Sequence, residues 1–393
     1  MKRPGRSATV ASERPHYPAK FSWWTPILGK LGQRKDLDFG EAEEATLRIL
    51  KLIERRDKEV PVLMASFFGS LSSKGPTIEE LAAMSSAMEK TKRVKFNFSV
   101  DKPLVTAGGT GGDTLKTINV TTPAVLLAAS AGAVAVKSGA KAFSSNTGAT
   151  DLAFAIGINV DSKPAAVKRC VEEIGTAVWA SASTYPWMNP LVDLRNSVTA
   201  PVFFPLMDSL RLMIATALNP FSTKRQVRGI STPQTELVAK VFGRIGYERA
   251  LVPLGYGNDD SIRIDEFSNL GSTLVSELLS NGKIDTYQIN CEDLGVRRGD
   301  PKEIMARDTH LENARIAVNI LAGKDCTSRR DLIIVNAAAI LYLADEASTL
   351  REGCELASNA IDDGDALQKV RELVKCSHGD NRKLSRLLPS TLI

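Results

Sequence analysis

Between Phe39 and Arg56 the apolar residues Ala42, Ala45, Ile49, Leu50 and Ile53 recur at a spacing that puts them on one face of a helix. Val62 to Leu71 reads as a second helix. Thr77 with Glu80 three residues later makes a capping box, and Ile78, Leu81, Met84 and Met88 supply the buried stripe of a third. These elements predict a small helical domain over 36–98, completed by part of 185–215. Its methionines are core filler.

At Lys102 the pattern changes. Leu104-Val105-Thr106 is a short strand that runs into a glycine-rich stretch, and Thr122-Pro123 opens a helix with proline at the first helical position. From Ala124 to Ala131 that helix is apolar all round, which predicts burial. Ala133 to Val136 is a second strand, ending at Lys137. Strand, helix and strand of this length form a parallel crossover, whose loops at the carboxyl ends of the strands share one sheet edge. The glycine loop and the Lys137–Gly148 loop are therefore expected to face each other. The expected fold is α/β: a small N-terminal helical domain and a larger domain over 99–376 with a central, mostly parallel sheet. Residues 1–35 carry Lys2, Arg3, Arg6, Arg14 and Lys20 among prolines and read as a mobile basic extension, docked at Trp23 and Trp24; 377–393 read as a charged tail.

Composition narrows the function classes. A chain of 393 residues, 43% hydrophobic and 24% charged, can bury a large core. A net charge of +5 is small for this length and gives little support to a nucleic-acid partner. No apolar run approaches a membrane span. Five cysteines without paired spacing predict reduced thiols and a cytoplasmic location, with the basic arm leaving organelle targeting open.

The chemistry concentrates between Thr106 and Asp151. Gly108-Gly109-Thr110-Gly111-Gly112-Asp113 can bend sharply and aim amide hydrogens at an anion, as a phosphate cradle requires. Elsewhere the bland reading prevails. Lys141, the pairs Arg297-Arg298 and Arg329-Arg330, and the Cys376-Ser377-His378 triplet read as solvated surface.

Gly109-Thr110-Gly111-Gly112-Asp113, Thr117, Asn119-Val120-Thr121-Thr122, Lys137-x-Gly139, Ser144-Ser145-x-Thr147-Gly148-x-x-Asp151 and Gly157-Ile158-Asn159 resemble, in order, the anthranilate phosphoribosyltransferase family. The likeness extends over residues 36–370, through Lys74-Gly75-x-Thr77-x-Glu79-Glu80, Leu218-Asn219-Pro220, Asp265-Glu266 and Asn336-Ala337-Ala338-Ala339. It implies transfer of phosphoribose from 5-phosphoribosyl-1-pyrophosphate (PRPP) to a small aromatic acceptor, anthranilate or a related amine or base, in a homodimer. It also implies donor contacts at Gly109, Thr110, Gly111, Gly112, Asp113, Thr117, Asn119, Thr121, Thr122, Lys137, Gly139 and Ser145. Asp265 and Glu266, with Thr121, would hold Mg²⁺ against the pyrophosphate. Arg195 would meet the acceptor's carboxylate. No acid–base residue is assigned, because departure of pyrophosphate calls for neutralising the leaving group more than for a strong base.

The sequence departs from the family on the acceptor side. Where the family usually reads Lys-His-Gly-Asn-Arg, this chain has Lys137-Ser138-Gly139-Ala140-Lys141, and about seven extra residues follow Arg195. Two alternatives share the fold. Nucleoside phosphorolysis would need no metal-bound pyrophosphate, and a non-catalytic nucleic-acid binder would be expected to have lost the glycine loop.

Overall fold

The computed structural model describes residues 22–140, 148–195, 208–258 and 261–389. The chain opens with α1 (Trp24–Gly32), α2 (Phe39–Glu54), α3 (Val60–Lys74) and α4 (Ile78–Lys90). Capping boxes at Asp38/Glu41 and Thr77/Glu80 start α2 and α4. Glu80 is wholly buried and also accepts from the Leu37 amide at 2.9 Å and from Lys74 Nζ at 2.9 Å, so one carboxylate ties three segments together. Part of the expected N-terminal extension is helical and built in: Trp24, Ile27 and Leu31 of α1 are buried, and α1 packs on α3. Those three apolar residues fall at helical spacing, a signal masked by the prolines and basic residues before them. Helices Met188–Arg195 and Asp208–Ala217 lie beside α2 and α4, and Tyr185, Trp187, Leu191, Leu210 and Met213 join the same core.

Eight strands form one sheet: β1 (Leu104–Gly109), β2 (Val134–Gly139), β3 (Thr176–Ala180), β4 (Arg225–Gly229), β5 (Arg249–Tyr256), β6 (Arg263–Ile264), β7 (Ser272–Leu278) and β8 (Ile284–Asn290). Their order is β3-β2-β1-β4-β5-β7-β8, with β6 paired to β5. Strands β3 to β5 in that order are parallel, whereas β5–β6, β5–β7 and β7–β8 are antiparallel, so the sheet is mixed. Strand order reverses between β1 and β4. In such sheets a crevice opens there at the carboxyl ends, which is where ligands bind.

Helix α5 (Thr121–Ser130) makes the expected crossover between β1 and β2, and every residue from Thr122 to Ala129 is buried. It starts at Thr121, so Pro123 sits third in the helix rather than first. The expected tail also packs on the body. Leu384 and Leu387 of helix Asn381–Leu387 are buried in the main core, Ser377 is buried, and the Asp380 amide donates to Gly157 O at 2.8 Å. Of the basic pairs, Arg297 and Arg298 are exposed as expected, paired with Asp331 and Glu292, whereas Arg329 and Arg330 are largely covered and pair with Asp325 and Asp362.

Candidate active site

The glycine loop leaves β1 at the switch point. Gly109 lies level with Gly229 of β4, and the Thr110 amide donates to Gly229 O at 3.1 Å. Gly111 and Gly112 take φ of +72° and +94°, left-handed values that a side chain would strain. A Cβ on Gly109 would lie 2.0 Å from Asp265 Oδ2, so the acidic pair packs directly on the loop.

Both carboxylates are buried, and each is held from the loop side. The Gly111 amide donates to Asp265 Oδ2 at 2.6 Å, the Asp265 amide donates to Asp113 Oδ1 at 2.9 Å, and Thr121 Oγ1 donates to Glu266 Oε1 at 3.2 Å. Burial first, then the neighbouring Asp265 charge, pushes the carboxyls of Asp113 and Glu266 well above the ordinary range. A cation would relieve that repulsion. Among the described residues no three His, Cys, Asp or Glu side chains converge on an ion by themselves. This donor set fits Mg²⁺, which is commonly held by one or two carboxylates and completed by water and substrate phosphate.

Opposite the acids stand two cations. Lys137, at the end of β2, is buried and donates to Ser138 O at 2.5 Å; burial, then the charge of Arg228, pushes its ammonium down to about 8. Arg228 of β4 is 3% exposed. Neither Arg228 nor Arg211 carried a motif signal. Arg211, on the helix Asp208–Ala217, brings its guanidinium within 3.1 Å of where a Gly112 Cβ would lie, so a cation from the helical domain reaches the loop. Ser231 Oγ donates to Gly111 O at 2.9 Å.

The remaining expected residues divide. Thr117 lies beside Met305 in an isolated bridge, and the Ile118 amide donates to Ile304 O at 2.8 Å, which pins the approach to Asn119 and α5. Thr122 is buried in α5. A Cβ on Gly139 would lie 2.6 Å from Ala149 Cβ, so its missing side chain serves helix packing. Arg195 ends the helix Met188–Arg195, and its side chain is outside the described residues, as are Ser145 and Lys141.

Comparison with known proteins identifies the family and the fold. The glycosyl transferase family, a/b domain, matches residues 101–367. The anthranilate phosphoribosyltransferase of Symbiobacterium thermophilum is 34% identical over 351 residues, 88% of this chain and 96% of that protein. The crystal structure of anthranilate phosphoribosyltransferase from Thermus thermophilus has a TM-score of 0.75 at 27% identity, covering 89% of this chain and 99% of that one. The Saccharomyces cerevisiae enzyme in complex with PRPP and Mg has a TM-score of 0.73 at 21% identity, covering 90% and 97%, a likeness of fold alone. With sequence identity sustained along nearly the whole of a curated relative, the chain belongs to the anthranilate phosphoribosyltransferase family.

Proposed function

We propose that this chain transfers phosphoribose from PRPP to the amine of anthranilate, assisted by Mg²⁺. One observation carries the reading: a buried acidic pair packed on a left-handed glycine loop, at the sheet's switch point, across from buried Lys137. In the reaction the bond from the anomeric carbon to pyrophosphate breaks, a bond to the amine nitrogen forms, and the amine loses a proton. Mg²⁺, held by Asp265 and Glu266, would neutralise charge on the leaving pyrophosphate. Lys137 neutralises it from the protein side. Asp113 orients Asp265, and Thr121 orients Glu266.

The Gly111 amide is held by Asp265 rather than open to phosphate. The carboxylate assigned to the metal thus also restrains a donor-binding amide, so metal and donor are expected to bind cooperatively. Arg211 offers a cation to an anionic acceptor from the helical domain. Two copies would associate through the helical domain, and the five free thiols suit a reducing compartment such as the cytoplasm.

The test is calorimetric titration with PRPP with and without Mg²⁺, followed by the loss of anthranilate fluorescence on turnover. Magnesium-dependent PRPP binding with consumption of anthranilate is expected. Binding of inorganic phosphate but not PRPP would replace this reading with phosphorolysis.

A further inference from the structure

Arg228 lies level with Gly108 across the β1–β4 pairing. Two of its nitrogens are satisfied within the fold. Nη2 donates to Leu218 O at 2.9 Å, and with the Gln226 amide turned to accept, Nε and Nη2 reach its oxygen at 2.6 and 3.0 Å while its nitrogen donates to the Tyr247 hydroxyl at 3.0 Å. Nη1 has no acceptor among the described residues. It extends over Gly108, where a Cβ would lie 2.8 Å from Nη1 and 3.5 Å from Lys137 Nζ.

Two cations therefore flank the space above one side-chain-free residue. Both are more than nine-tenths buried. Neither makes an ion pair among the described residues, and Asp265 and Glu266 favour their charged forms only from farther off. Burying like charges side by side is unfavourable unless an anion shares the space.

We propose that Arg228 Nη1 and Lys137 Nζ form a compact oxyanion site over Gly108, with Arg228 as its directional donor. The glycine is required because any side chain would fill the cradle. The site takes one oxyanion of the reactants, a phosphoryl group of the donor or the carboxylate of the acceptor, and only that last step rests on the transferase reading. A guanidinium fixed by three bonds to two neighbours presents its remaining nitrogen with little orientational loss, whereas a lysine there could not keep the bonds to Leu218 and Gln226.

The experiment is magnesium-free calorimetry of the full chain with inorganic pyrophosphate and, separately, with benzoate, on wild type, Arg228→Met and Gly108→Ala. Gly108→Ala keeps both cations and fills the cradle with a methyl 2.8 Å from Nη1, so it tests the cradle even if Arg228→Met fails to fold. The expected result is that wild type binds at least one of the two, and that each folded variant weakens that ligand about tenfold or more, as loss of a charge-assisted bond predicts. Pyrophosphate as the affected ligand assigns the site to the donor, and benzoate assigns it to the acceptor. Failure of wild type to bind either, or unchanged affinity in Gly108→Ala, overturns the proposal. Oxyanion binding that depends on Arg228 without turnover of PRPP and anthranilate would leave this site standing and remove the transferase reading.

Discussion

Replacing Lys137 by methionine should make the ligand-free protein more stable and less able to bind its donor. The ammonium is pushed from the ordinary 10.5 to about 8, with burial as the largest cause and Arg228 next. At about 1.4 kcal/mol per tenfold, keeping it charged near neutrality costs roughly 3 kcal/mol. The sign follows from proton counting. Below about 8 both folded and unfolded chains hold the proton, so the penalty is fully present. Between about 8 and 10.5 the unfolded chain binds more protons, so wild-type stability rises with pH. Urea unfolding without phosphate should therefore show Lys137→Met ahead by up to about 3 kcal/mol at pH 7, narrowing by about 1.4 kcal/mol at pH 9. The same variant should bind PRPP more weakly, since the strain serves the ligand. A variant no more stable than wild type at pH 7, or a gap that does not change with pH, would refute the reasoning.

Changing Asp265 and Glu266 together to alanine should abolish magnesium-dependent PRPP binding while circular dichroism stays native; unchanged calorimetric binding would remove both residues from the metal site. Gly109→Ala places a methyl 2.0 Å from Asp265 Oδ2, so the carboxylate has to move. Steady-state kinetics should show the magnesium concentration needed for half-maximal rate rising about tenfold or more, consistent with about 1–3 kcal/mol of overpacking. Ser138→His with Ala140→Asn should raise kcat/KM for anthranilate if those contacts limit its use, and no gain would locate acceptor selection elsewhere, with Arg211 and Arg228 the next residues to vary.

Much of this protein was legible in the sequence because it is local. Capping boxes, the apolar helix α5 and the left-handed glycines announce themselves within a few residues, where backbone conformation is set by immediate neighbours. The family motifs then placed Asp265 and Glu266 opposite a loop more than 150 residues away, and the 2.6 Å bond from Gly111 to Asp265 shows how closely they meet. Other features depend on partners distant in sequence. The helix Asn381–Leu387 read as a charged tail because only two of its residues, Leu384 and Leu387, are fully buried, and the surface that buries them comes from elsewhere in the chain. Arg228 sits in Arg225-Gln226-Val227-Arg228, which resembles an exposed basic strand until the sheet register sets it against Gly108. Arg211 lies on a helix of the helical domain, and no spacing rule links it to Gly112. The elements, the family and the acidic pair were thus written in the chain, encoded at short range or in ordered motifs. That Arg211 and Arg228 join Lys137 beside the glycine loop emerged only on folding, because burial and charge pairing depend on which elements lie side by side.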